Sequence, residues 1–238
     1  MERIFAADSI FKAYGTREIL RVASVWAAPG MMTVLFGRNG CGKSTLLKIG
    51  VGLMRADRGM VHFRGAVYPR PRLHRLAAQG LFYLPDAGLL TGRMTLREHL
   101  HAVAWRFGGG LTAEDAEDLA VAELLDRPAR EYSGGEMRRA EVAVAVARQP
   151  LCLLADEPLA GIAPTDGERL ARVFRRLAAR GCAIVATGHE VPELLALADE
   201  VVWMTGGTTL GLGTAARAVE SEQFRRDYLG PGSPARVR

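Results

Sequence analysis

No stretch of the 238 residues approaches the roughly 18 consecutive apolar residues that a membrane-crossing helix needs, because Glu141, Arg148, Asp156 and Glu193 interrupt the most apolar windows. Any work at a membrane therefore needs another chain. Cysteine is scarce as well: Cys41, Cys152 and Cys182 show no paired metal-ligand spacing, and two of them lie inside apolar runs, which suits a reducing compartment. The start, Met1-Glu2-Arg3-Ile4-Phe5, lacks the basic-then-apolar layout of a secretory leader. Repeats and long linkers are also missing, so the length points to one large α/β domain with a subsidiary lobe. The net charge of +5 admits nucleic acid or an anionic surface as a partner, but an arginine-rich background explains it equally well.

What the chain does have is Gly37-Arg38-Asn39-Gly40-Cys41-Gly42-Lys43-Ser44-Thr45, set between the apolar run 31–36 and the helix-forming 46–49. Three glycines let successive backbone N–H groups turn toward one point, where the positive end of a helix dipole also lies. A polyphosphate fits there. Lys43 is placed to reach the β- and γ-phosphates, and the hydroxyl of Ser44, with Thr45 beside it, to meet Mg²⁺.

Around this loop, residues 2–30 alternate short β-rich runs with turns, including 4–6, 9–11 and 22–27, and 60–68 reads as a hairpin turning at Arg64-Gly65. Tyr14 sits where an aromatic ring could stack on a base, although a half-buried strand-end tyrosine explains it as simply. Arg70, Arg72, His74 and Arg75 read as a solvated face. After the short apolar strand 81–84 the pattern turns helical. Thr95 with Glu98 caps a helix through Trp105, Gly108–Gly110 break it, and Thr112 caps a second helix over 113–125. A helical lobe is thus expected over about 88–146.

Ser133-Gly134-Gly135-Glu136 has capping-box spacing ahead of a helix over 137–147; it reads either as a helix start and no more or, with two bare glycines at the N-terminus, as a second anion site. The apolar run 151–155 then reads as a buried parallel strand that delivers Asp156 and Glu157 at its carboxyl end, where α/β sheets bind ligands. Two adjacent carboxylates there can divide the work: Asp156 toward Mg²⁺, and Glu157 toward a water attacking the γ-phosphate. A further strand, 182–187, ends at Gly188-His189, followed by a helix over 191–198, a strand over 200–204 and a hairpin at Gly206-Gly207. Residues 231–238 read as a frayed tail.

Taken in order, G-R-N-G-C-G-K-S-T, Y-S-G-G-E, L-L-A-D-E-P and Gly188-His189 resemble the ATP-binding subunits of ABC transporters, over a stretch from Tyr14 to about Gly230. The resemblance implies an α/β fold with a P-loop NTPase (RecA-like) core, an N-terminal antiparallel β lobe and the inserted helical lobe, residues 1–230 forming a single ABC ATPase domain. It also implies ATP and Mg²⁺ as cofactors and a head-to-tail dimer, of two copies or of this chain with a paralogue. ATP would lie between Gly37–Thr45 of one subunit and Ser133, Gly134, Gly135 and Glu136 of the other. Tyr14 then takes the adenine-stacking role, Glu157 the general base, His189 the switch histidine, and Ser44, Asp86 and Asp156 the metal. Transmembrane permease subunits are implied as partners and nucleic acid is not, with the chain peripheral on the cytoplasmic face of the cell membrane.

Finer features divide between two neighbouring branches. L-A-G-I-A-P after Glu157, R-M-T before the lobe helix and Y-L-G near the end resemble branched-chain amino acid importer ATPases. S-G-G-E-M-R-R-A-E, Y-L-P and the histidine at 189 resemble the ATPase that powers lipopolysaccharide extraction. Three positions depart from the common pattern: Asp86 stands where most relatives carry glutamine, Ala163 where many carry aspartate, and Tyr132 where leucine is usual. The alternatives are a degenerate subunit that binds ATP while a paralogue hydrolyses it, and a soluble ABC ATPase acting on DNA or ribosomes. The second lacks support from either a coiled-coil insertion or a duplicated domain. Cys41, among loop amides at a helix N-terminus, is expected to have a lowered pKa.

Overall fold

The computed structural model describes residues 2–188 and 191–228 of the chain. Its centre is β3 (Met32–Gly37), six residues buried along their whole length. Parallel partners flank it on both sides, β8 (Ala183–Gly188) and β9 (Glu200–Thr205). Beyond β8 lie β7 (Cys152–Ala155) and then β6 (Leu81–Leu84), again parallel. Strands covered on both faces need apolar residues at every position, which is why they read as short unbroken apolar runs rather than as alternation.

The other half of the sheet is antiparallel. β1 (Phe5–Tyr14) pairs with both β2 (Arg17–Ala27) and β4 (Arg58–Phe63), and β4 turns at Arg64-Gly65 into β5 (Ala66–Tyr68). Arg64 and Gly65 both have positive φ, 51° and 76°, as a tight two-residue hairpin turn requires. β10 (Thr208–Gly213) pairs antiparallel with β9 and touches β2, closing a ten-stranded sheet in the order β5-β4-β1-β2-β10-β9-β3-β8-β7-β6. The separate short runs expected in residues 2–30 are longer than they read. Ser9, with φ of 52° and a register shift around it, lets 5–14 continue as one strand through an irregularity.

Alternate residues of the central strands feed two cores, one on each side. Leu35, Leu154 and Val185 pack with Leu46, Leu47 and Ile49 of α1 (Lys43–Gly50) and with the antiparallel strands. Val34, Phe36, Leu153 and Ile184 face the opposite way. They pack with Val142, Val144 and Val146 of α5 (Gly134–Ala147), and with Leu170, Val173 and Phe174 of α6 (Pro164–Ala179).

The inserted helices occupy the chain between β6 and β7. α3 (Leu96–Phe107) carries the expected capping box, Thr95 with Glu98, and ends at Gly108. α4 (Ala113–Asp118) is capped by Thr112 as expected but stops seven residues before Leu125. Its end is a left-handed cap: Ala120 has φ of 47°, the Ala120 N–H bonds to Glu117 O, and the Val121 N–H reaches Ala116 O. The early stop lets Leu119, Val121 and Leu124 all enter the core, and a glycine at position 120 would have announced it in the sequence.

α4 is pinned to α6 by charge. Asp115, fully buried, accepts from Arg176 Nε at 2.9 Å and Arg180 Nη1 at 2.7 Å, while Asp118 pairs with Arg172 and Arg176. Burial pushes the Asp115 carboxyl up, but bonds from Arg180, Thr112 and Arg176 outweigh it and hold the pKa below the usual value. A depressed pKa contributes stability above the ordinary aspartate value of about 3.9 and loses it as pH falls through the folded value. Asp115→Ala leaves two guanidinium groups without their buried partner. It is expected to lower unfolding free energy by about 3 kcal/mol in urea titrations at pH 7, with the gap narrowing below about pH 4.

Candidate active site

The phosphate loop is built as its glycines require. Gly42 caps α1 with φ of 113°, and a Cβ there would meet Leu20 Cδ2 at 2.7 Å, so both the backbone angle and the space call for glycine. Lys43 opens the helix and is buried; its Nζ donates to Gly37 O at 2.7 Å and lies 3.5 Å from Glu157 Oε1. Arg38 and Asn39 form the exposed tip of the loop. A cavity of ≈ 240 Å³ opens here, lined by Tyr14, Arg17, Ile19, Gly40, Gly42, Lys43, Ser44, Thr45 and Glu157. A smaller one, ≈ 150 Å³, lies among Leu53, Met60 and Tyr68 and is lined by no carboxylate.

Asp156 is fully buried beneath the loop, at the end of β7, and takes three hydroxyls. Thr187 Oγ1 donates to its Oδ1 at 2.7 Å, Ser44 Oγ to the same oxygen at 3.0 Å, and Tyr83 OH to Oδ2 at 3.2 Å. Burial, then the Asp156 charge and the bond to it, push the Tyr83 phenol far up, so Tyr83 stays a donor at any physiological pH. The neighbouring Glu157 is held in a left-handed backbone conformation, φ of 45°, with its N–H donating to Thr187 Oγ1 at 2.9 Å. A non-glycine residue in that region is strained, and the strain here sits on the residue expected to act as base.

Ser44 and Asp156 offer oxygen only, the donor chemistry of a hard cation. Among the described residues no group of three or more His, Cys, Asp or Glu forms a self-contained metal cage. The chemistry of these two oxygen donors fits a hard cation such as Mg²⁺. Asp86 is exposed just beyond the end of β6, and its charge contributes to the shift at Tyr83. His189 lies outside the described residues, as does the tail 231–238.

Ser133, Gly134, Gly135 and Glu136 do not line the cavity; Ser133 and Gly134 are exposed at the start of α5. The helix begins at Gly134, three residues earlier than the spacing suggested, because the capping box forms in full. The Ser133 N–H donates to Glu136 Oε2 at 2.8 Å, and the Glu136 N–H to Ser133 Oγ at 3.3 Å. The bond from the Ser133 amide, then Arg127 at 2.8 Å, hold the Glu136 carboxyl down at about 2. This carboxylate is therefore committed to the cap.

The Cys41 thiol overturns the expectation of a lowered pKa. It is half-buried, and burial raises its pKa more than the Lys43 charge and the loop amides lower it. Sequence reasoning also passed over Arg138, Glu141, Thr187 and Tyr83. The available signal was a hydroxyl inside an otherwise apolar strand, at 83 and 187, and a charged pair three residues apart leading into the apolar second half of a helix.

The family model described as ABC transporter matches residues 20–160. This chain belongs to the ABC transporter family. It is an ATP-binding subunit of that family, and its fold is that of the family's nucleotide-binding domain. It is 33% identical to the lipopolysaccharide export system ATP-binding protein LptB of Acidithiobacillus ferridurans, across 97% of this chain and 98% of that protein. The LptB of Haemophilus influenzae is 30% identical over 95% and 97%. In structure it is similar to the ADP conformation of an ATP-binding cassette of an ABC transporter, with TM-score 0.81, 23% identity, and coverage of 97% of this chain and 100% of that one. The resemblance to the lipopolysaccharide branch is thus carried by whole-chain similarity as well as by S-G-G-E-M-R-R-A-E.

Proposed function

We propose that the chain hydrolyses Mg²⁺-bound ATP in a head-to-tail dimer and that closing and reopening of the dimer drive separate membrane subunits. The observation that carries this reading is the juxtaposition, around one cavity, of phosphate-loop amides, buried Lys43, the Ser44–Asp156 oxygen pair and Glu157. The Lys43 ammonium contacts Gly37 O and Glu157, and phosphates would offer it a stronger set of anionic acceptors. Mg²⁺, when bound, neutralises charge on the β- and γ-phosphates. Glu157 takes a proton from the attacking water, and Tyr14 packs on the adenine. Ser133, Gly134 and Gly135 serve the γ-phosphate of the other subunit, which accounts for the exposure of Ser133 and Gly134 away from the cavity of their own chain.

Among the described residues no helix is long and apolar enough to cross a membrane; in this reading the crossing belongs to separate permease subunits. The relatives named LptB favour export of a lipopolysaccharide-like cargo, with this chain on the cytoplasmic side of the membrane. The test is light scattering of the purified chain with a non-hydrolysable ATP analogue and Mg²⁺. The mass is expected to double with the analogue and stay single with ADP; a mass unchanged by either contradicts the dimer.

A further inference from the structure

The one guanidinium that enters the core from α5 has every N–H donor engaged. Arg138 Nε donates to Pro158 O at 3.1 Å, Nη1 to Pro85 O at 2.7 Å and to Glu141 Oε2 at 3.0 Å, and Nη2 to Asp156 O at 2.8 Å and Glu157 O at 2.9 Å. Arginine has five N–H groups in a fixed planar fork, so nothing is left over for solvent. Arg138 is 5% exposed and Glu141 is 2% exposed.

Two segments meet on this group. One is Pro85–Leu89, the segment that carries Asp86. Arg138 holds its first carbonyl, and the other oxygen of Glu141 accepts from the Leu89 N–H at 3.1 Å, so the buried pair clasps the segment at both ends. The other is Asp156–Pro158, in which Arg138 holds three successive carbonyls. Glu157 lies in the middle with its left-handed φ of 45°. With its N–H on Thr187 and its carbonyl on Arg138, both main-chain groups of Glu157 are fixed.

We infer that Arg138, charge-balanced by Glu141, is the positioning residue that holds Glu157 in its productive backbone conformation and makes the Asp86 segment and the Glu157 segment move as one. A displacement of Pro85–Leu89 is passed to the base through a rigid fork rather than through the sheet. Because α5 also carries Ser133–Gly135 at its first turn, the same fork ties the two segments to the helix that faces the other subunit. Arg138 lies outside the lining of the nucleotide cavity, so its effect falls on turnover and not on nucleotide affinity.

This rests on the hydrolytic reading above, so its test includes a readout that needs no turnover. Arg138→Lys keeps a charge for Glu141 but offers three donors in a different geometry, and Glu141→Gln keeps hydrogen bonding without the charge. In Arg138→Lys, hydrogen exchange at the amides of 86–89 and of 156, 157 and 159 is expected to accelerate together, by tenfold or more. The kcat for ATP is expected to fall at least tenfold, while KM and the affinity for a fluorescent ATP analogue stay within threefold. Glu141→Gln shows a smaller change of the same kind and carries the test if Arg138→Lys does not fold. Exchange that rises in one segment alone, wild-type turnover, or affinity that falls as far as kcat overturns the inference. Wild-type protein that binds nucleotide but releases no phosphate contradicts the hydrolytic reading instead, and the coupled exchange then decides the inference by itself.

Discussion

Glu157→Gln is expected to lower ATP turnover by about 100-fold or more while nucleotide affinity stays within about threefold. Glutamine keeps the size and can keep contact with Lys43, but it cannot take a proton from water. The backbone at 157 is unaffected because its holding bonds, to Thr187 Oγ1 and from Arg138, are made by main-chain atoms. Asp156, below the loop with its three hydroxyl donors, is untouched as well. Phosphate release under saturating ATP, beside binding of a fluorescent analogue, separates the two effects. Turnover within a few-fold of wild type would remove Glu157 from the role of base. A parallel loss of affinity would instead mean that its charge serves nucleotide binding.

Lys43→Ala acts on the other half of the cycle. The ammonium is buried and lies on Gly37 O beside Glu157, at the floor of the cavity. A hydrogen bond to a charged group contributes about 1.5–3 kcal/mol, and loss of one or two such contacts corresponds to an affinity drop of about 10-fold or more. Isothermal titration with ATP and Mg²⁺ measures it. Removing the lysine also leaves Gly37 O and Glu157 without that partner, so thermal stability must be followed beside affinity. Near-wild-type affinity in a folded Lys43→Ala chain would mean that the loop amides alone hold the phosphates.

The two substitutions differ in what the sequence could reveal about them. The turn from β3 into α1 was legible because glycine spacing and the strand-to-helix setting are local features dictated by backbone geometry. The capping boxes of Thr95 and Ser133 were legible for the same reason: donor and acceptor lie three residues apart, and the structure contains both. Arg138 was illegible because four of its acceptors are main-chain carbonyls, which every residue has, at 85 and 156–158. The thiol of Cys41 was misread because burial and charge push in opposite directions, and only the charge has a sequence signature. The end of α4 was missed since Ala120 occupies a position that usually shows itself as glycine. The pairing of Asp115 with Arg176 and Arg180 spans more than sixty residues and carries no local pattern.

The most direct measurement is the rate of phosphate release from Mg²⁺ and ATP by the purified chain as its concentration is raised. If a complete site takes its phosphate loop from one copy and Ser133–Gly135 from another, specific activity climbs with concentration and levels off once the dimer is saturated. Specific activity that stays constant from the lowest concentration, in a chain that remains monomeric with ATP bound, would contradict the shared site.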